Sequence, residues 1–177
     1  MFKLPDQIIS LPPQVTRFAP SPTGRLHLGH AYAAAYAQEC AHQTGGTYLM
    51  RIEDTDHTRC RPEFYTGIRD DLVALGLSPD QETANQSTRM AAYQAALDRL
   101  ETMGLLYPCF CTRKDIAQSV TAPHGPDGTF YPGTCRHLSA DERTARRKTD
   151  PFALRLDTQK AAQIAGPLTF QELAFTP

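Results

Sequence analysis

Residues Arg17 to His30 read R-F-A-P-S-P-T-G-R-L-H-L-G-H. Their types suit a bound polyphosphate. Gly24 and Gly29 let a backbone approach a nucleotide closely. His27 and His30 stand three residues apart where an alanine-rich stretch begins, so both can face one ligand. An imidazole N–H can donate to phosphate oxygens as charge builds during a transfer reaction. A helix opening at this point adds free N–H groups and a partial positive charge. The same residues would also serve a plain turn with surface histidines. A metal pair is a third reading, and no nearby carboxylate completes it.

A second group lies further on. Cys109 and Cys111 flank one residue, and Tyr131, Cys135 and His137 follow after a loop. Two thiolates from a tight turn and two ligands from a distant loop would close a tetrahedral zinc site and order an irregular insertion. Free thiols packed as small apolar groups are the alternative. Cys40 and Cys60 fall outside this group.

The elements that must position these residues form a βαβ unit. Gln14 to Phe18 reads as a strand stopped by Pro20 and Pro22. Leu28 to Gln43 reads as helix, with Gly45 and Gly46 as its stop. Thr47 to Ile52 reads as the next strand. Such crossovers give parallel sheets, with ligands at the carboxyl ends of the strands. Pro62 opens a helix whose Phe64, Ile68, Leu72 and Leu75 share a face, closed by Gly76. Ser87 is the expected N-cap of a helix to Met103, with Tyr93, Leu97 and Leu100 inward. Leu105 to Phe110 reads as a short strand. Thr112 to Arg136 is rich in proline and glycine and reads as loop. Ser139 and Glu142 form a capping box for a short basic helix. Phe152, Leu154 and Leu156 alternate as in a strand. The last twenty residues show no clear element.

The motifs resemble those of a known family. His27-Leu28-Gly29-His30 looks like the HIGH signature of class I aminoacyl-tRNA synthetases. R-F-A-P-S-P-T-G, with Thr44-Gly45-Gly46 and Arg51-Ile52-Glu53-Asp54-Thr55-Asp56, resembles the glutamyl branch over about residues 14 to 157. The fold implied is α/β: a Rossmann-like class I synthetase catalytic domain with a parallel sheet and a zinc-bearing, loop-rich insertion. The expected divisions are 1–104 for the half with the HIGH-type motif, 105–150 for the insertion and 151–177 for the start of further catalytic domain.

The resemblance also implies a chemistry. A carboxylate of glutamate attacks the α-phosphate of ATP, giving an aminoacyl-adenylate and pyrophosphate before transfer to RNA. His27 and His30 take the catalytic role, positioning the phosphates and stabilising their charge. Thr23, Gly24 and Gly29 join them in binding ATP with Mg²⁺. Arg17 pairs with the substrate's side-chain carboxylate, while Phe18, Ala19, Pro20 and Ser21 line the glutamate pocket. Glu53 takes the α-ammonium. Y-P-C-F-C-T-R followed by Y-P-G-T-C-R resembles the short paralogues that modify queuosine in tRNA(Asp). There three cysteines and a tyrosine hold zinc, which maps to Cys109, Cys111, Tyr131 and Cys135; His137 is the alternative fourth ligand. An ordinary glutamyl-tRNA synthetase is the nearest rival, and a non-catalytic, zinc-stabilised RNA-binding fragment the next. The family's second ATP motif, Lys-Met-Ser-Lys-Ser, does not occur in these residues. A chain of this extent is expected to activate glutamate poorly or not at all by itself.

Composition sets the frame. At 177 residues, 41% hydrophobic and 21% charged, the chain is that of an ordinary globular protein with a real core. A net charge of −1 gives no global pull towards nucleic acid or anionic membrane. Arg143, Arg146, Arg147 and Lys148 make a local basic cluster, read as a solvated helix face. No apolar run approaches the roughly 20 residues needed to span a bilayer. With no signal-peptide pattern, a cytoplasmic location is expected; the resemblance implies glutamate, ATP and tRNA(Asp) carrying queuosine as partners, and a monomer is expected. An odd count of five cysteines fits thiols or metal ligands.

Overall fold

The structure, a computed structural model, describes residues 4–112, 114–116, 131 and 133–170. It divides into two compact units, one formed by residues up to Ala92 and one spanning Tyr93–Phe170.

The first unit follows a short helix α1 (Asp6–Ile9) with strand β1 (Val15–Phe18), helix α2 (Leu28–Gln43) and strand β2 (Thr47–Met50). Helix α3 (Pro62–Ala74) and strand β3 (Gln81–Glu82) come next. The strands form one parallel sheet in the order β1-β2-β3, with Phe18 paired to Met50 and Met50 to Glu82. The expected βαβ crossover is therefore present. Alanines let α2 lie close to the sheet, and Ala34 and Ala41 are fully buried. Around them pack Phe18, Tyr48, Met50, Ile52, Ile68 and Leu72. Both strands are shorter than expected by one or two residues.

Two expectations for this unit fail. Leu75 is 53% exposed, because α3 ends at Ala74 and the chain leaves the face there. Tyr65 and Leu77 pack on the core instead. Ser87 is not an N-cap. It lies in a 3₁₀ turn (Gln86–Arg89) whose cap residue, Asn85, makes no side-chain capping bond, and Ser87 turns to Asp54.

Gly46 sits where α2 returns to β2. A Cβ there would overlap the backbone of Gln14, whose carbonyl accepts from Thr47 N (3.0 Å). Thr44 ties the same corner, accepting from Gln14 N (3.0 Å). Gly46→Ala is expected to force β1 and β2 apart at their start and cost about 2–3 kcal/mol. Denaturant midpoints of the two proteins check this.

The second unit begins within helix α4 (Met90–Thr102). Strand β4 (Leu106–Cys109), helix α5 (Ala140–Thr149), strand β5 (Ala153–Leu156) and helix α6 (Thr158–Ala165) follow. Tyr93, Leu97 and Leu100 are the half-buried residues of α4, as its periodicity implies. β4 and β5 pair antiparallel, with Tyr107 opposite Arg155 and Cys109 opposite Ala153. The capping box at Ser139 and Glu142 forms, each side chain meeting the other's backbone N–H. The alternating Phe152 and Leu156 are 43% and 45% exposed. Helix α6 is an element not anticipated. Asp157 caps it by accepting from Lys160 N, and Gly166 (φ 69°) ends it. Most of the loop expected between Thr112 and Arg136 lies outside the described residues.

Candidate active site and cysteine cluster

The first site forms where β1 and β2 end and α2 begins, the usual place for ligands in a parallel sheet. Beyond the strands, two backbone bonds keep the chain segments side by side. Arg51 N donates to Phe18 O (3.1 Å), and Glu53 N donates to Pro20 O (2.9 Å). This brings Glu53 beside the Arg17–Ser21 segment. Glu53 Oε1 lies 2.6 Å from Arg51 Nη2 and 3.9 Å from Arg17 Nη1. Arg51 was no candidate from sequence, yet it holds Glu53 most closely. Phe18 and Pro20 are buried, Ala19 is half-buried, and Arg17 and Ser21 are exposed.

His27 and His30 organise the start of α2. His27 is its N-cap and its Nδ1 accepts from Gly29 N (3.1 Å). His30 reaches back, its Nδ1 accepting from His27 N (3.3 Å). The two rings stack with centroids 3.8 Å apart. Since both Nδ1 atoms accept, each neutral ring carries its proton on Nε2. Each Nε2–H is thus left as a donor at the helix N-terminus. Burial, and then the neighbouring His27, lower the His30 pKa from its ordinary value of 6.5, so this ring is neutral at pH 7. Phe18 backs His30 edge-on, 6.4 Å between centroids. Gly29 is needed for crowding: a Cβ there would lie 3.0 Å from His27 Cε1. Thr23 and Gly24 are half-buried in the loop leading to α2, where Thr23 N donates to Ser21 O (2.8 Å).

Asp54, next to Glu53, is a residue whose role sequence reasoning missed. It is 3% exposed and accepts from Ser87 N (2.8 Å), Ser87 Oγ (2.7 Å) and Tyr65 Oη (3.0 Å), with Asn85 Nδ2 at 3.4 Å. Burial pushes its pKa up, but the Ser87 and Tyr65 bonds outweigh this and hold it below 3.8. The folded state therefore binds this proton less readily than the unfolded chain. Its stabilisation is present above about pH 4 and is lost as pH falls through the depressed pKa. Asp54→Ala is expected to cost about 2–3 kcal/mol at pH 7. The difference from wild type should narrow below pH 4, as urea unfolding across pH 2 to 7 will show.

The second site lies at the end of β4. The sulfurs of Cys109, Cys111 and Cys135 all lie within 4.8 Å of one another. Cys111 Sγ is 3.4 Å from Cys135 Sγ. Tyr131 Oη accepts from Cys135 N (3.0 Å) and lies 3.2 Å from Cys109 Sγ. Gly133, at φ 80°, makes the turn that brings Cys135 back towards β4. His137 is exposed and outside this group, and Cys40 and Cys60 lie elsewhere. All five cysteines are free thiols. Burial opposes ionisation of Cys109, but bonding to Tyr131 and to the Cys111 backbone brings its pKa down to about 7. Burial and Cys135 push Cys111 up to about 11. Burial and Cys109 raise the Tyr131 phenol well above its ordinary range. Zinc–sulfur bonds of about 2.3 Å in a tetrahedron put sulfurs about 3.8 Å apart. Three sulfurs and a phenol oxygen this close fit such an ion, with Cys109, Cys111, Cys135 and Tyr131 as the residues that would hold it.

Among the described residues, no helix is long and apolar enough to cross a membrane. The arginines of α5 are engaged: Arg146 pairs with Asp150 (2.8 Å), Arg147 with Glu101 (2.6 Å), and Arg143 donates to Arg136 O (2.6 Å).

The chain is 43% identical over 161 residues to a glutamyl-Q tRNA(Asp) synthetase of Rhodobacter capsulatus, covering 86% of this chain and 58% of that protein. It is 47% identical over 145 residues to the one of Nocardia farcinica, covering 81% and 46%. The chain thus spans about half the length of these curated relatives. Among solved structures, a glutamate tRNA ligase of Elizabethkingia meningosepticum in complex with its amino acid matches with a TM-score of 0.64 at 28% identity. That match covers 81% of this chain and 32% of the other. Residues 14–172 match the family described as tRNA synthetases class I (E and Q), catalytic domain, and the chain belongs to that family.

Proposed function

We propose that this chain carries the amino-acid site and the first half of the ATP site of an enzyme that activates glutamate and transfers it to the queuosine base of tRNA(Asp). The observation that carries the reading is the histidine pair. Its Nε2 donors stand at a helix N-terminus, and the adjoining strand end presents Arg17 and Glu53. In the first step a carboxylate oxygen of glutamate bonds to the α-phosphorus of ATP, and pyrophosphate leaves with the electrons of the broken P–O bond. His27 and His30 donate to the phosphate oxygens, where negative charge shifts. Thr23, Gly24 and Gly29 keep the approach open, and Mg²⁺ accompanies ATP. Arg17 receives the side-chain carboxylate and Glu53 the α-ammonium, with Phe18, Ala19, Pro20 and Ser21 framing the pocket.

Zinc at Cys109, Cys111, Tyr131 and Cys135 has a structural role in this reading, since these four side chains leave no open position for a substrate. The enzyme acts in the cytoplasm as a monomer. The relatives' names support queuosine as the acceptor, while the structural likeness to a glutamate tRNA ligase supports the rival, charging of the tRNA 3′ end. Mass spectrometry of nuclease-digested tRNA(Asp) decides between them. Glutamate on the modified base is expected, and glutamate on the terminal adenosine would overturn the reading.

A further inference from the structure

Arg155 is a half-buried cation with no described carboxylate paired to it. Its Nε is shut off from solvent and has no hydrogen-bond partner among the described residues. The nearby Asp157 is matched to Arg136 instead, at 3.8 Å. An arginine left this way is costly unless negative charge lies close by.

The strand register supplies the neighbour. Arg155 on β5 stands opposite Tyr107 on β4, and directly opposed residues share a sheet face. Cys109, two residues beyond Tyr107, lies on that same face. From there the guanidinium reaches over the Tyr131 ring, its carbon 4.1 Å from the centroid. Tyr131 in turn binds Cys109 and Cys135 through its oxygen. Three thiolates and a phenolate on one divalent ion would leave about two excess negative charges in a buried place. Ligands of that kind need outer partners that hold them in position and balance their charge.

We propose that Arg155 is the counter-cation of the Cys109–Cys111–Tyr131–Cys135 cluster, offsetting the charge of the metal-loaded site and fixing Tyr131 as its oxygen ligand. Arg155 acts through Tyr131 and touches no substrate, so it is a positioning residue. Arg136 and Arg146, also near the cluster, each have a carboxylate partner, Asp157 and Asp150. Arg146 lies 4.3 Å over Phe110 and is matched by Asp150.

The inference rests on the metal reading of the cluster, and competition with a chromophoric chelator separates the two. Wild-type protein that takes up neither Zn²⁺ nor Co²⁺ overturns the metal reading before any variant is made. Given uptake, Arg155→Gln is expected to weaken zinc binding about 10- to 100-fold. The visible spectrum of its Co²⁺ form should shift as the tyrosine contact loosens. Arg155→Lys, which keeps the charge without the flat stacking, is expected to lose less than about tenfold. The unfolding midpoint of the metal-free protein should not fall in either variant. Zinc binding by Arg155→Gln within twofold of wild type overturns the proposal. So does a loss above a hundredfold in Arg155→Lys, which also decides the matter if the glutamine variant does not fold.

Discussion

In an enzyme carrying this segment together with the second ATP motif, Arg17→Ala is expected to raise KM for glutamate by about 10²- to 10³-fold, or roughly 3–4 kcal/mol. KM for ATP should change by only a few-fold. The asymmetry follows from the geometry. Arg17 Nη1 lies 3.9 Å from Glu53, a loose pair at an exposed strand end, so its loss costs the fold almost nothing. Glutamate brings one carboxylate for Arg17 and one ammonium for Glu53, so binding exchanges a weak internal pair for two charge-assisted ones. Arg17→Lys should rescue poorly, because a point charge does not match a carboxylate in two places. Steady-state ATP–pyrophosphate exchange measures both constants. An equal loss for glutamate and ATP would contradict the assigned role.

On the proposed zinc reading, removing the metal is expected to disorder the residues around β4 and β5 while leaving β1, β2 and α2 intact. Among the described residues, the buried apolar cluster there consists of Tyr107, Cys109 and Cys135. So small a core supplies little stability by itself. Structural zinc sites in small peptides contribute about 10–16 kcal/mol. Cys135→Ala removes a ligand and also the acceptor for Phe110 N (3.4 Å), so it should reproduce the effect of a chelator. Hydrogen exchange checks both. Protection should fall at 105–109 and 153–156 and persist at 15–18 and 47–50. Unchanged protection at β4 after complete metal removal would defeat the structural role.

The first unit was legible in sequence where its signals are local. Helix α2 has the expected bounds, Leu28–Gln43, because alanine propensity and two glycines act within a few residues. β3 gave no signal. Gln81 and Glu82 are exposed and polar, and they form a strand only because β2 offers a free edge. Ser87 shows a local preference overruled from afar: a buried carboxylate 33 residues earlier takes its hydroxyl and its amide. Nothing in the acidic run Glu53-Asp54-Thr55-Asp56 marks the second acid as the buried one. Helix α6 did carry signals, the cap Asp157 and the stop Gly166, but they bracket only eight residues. At the candidate site, the spacing of His27 and His30 was readable. Their mutual capping was not, since histidine is not among the favoured capping residues. The cysteines and Tyr131 were readable as a set, but Arg155 joins them only through the β4–β5 register.

The stacked histidines also bear on the entropy of binding. A side chain that waits free in solvent must be immobilised when a ligand arrives, at about 0.5–1.5 kcal/mol for each rotamer-rich group. His27 and His30 have already lost that freedom, because each ring is tethered to the other's end of the first turn when α2 forms. Folding and preorganisation are here a single event. A lysine at either position could also donate a hydrogen bond but would lack this readiness, as its four-carbon stem would have to be immobilised each time a ligand bound.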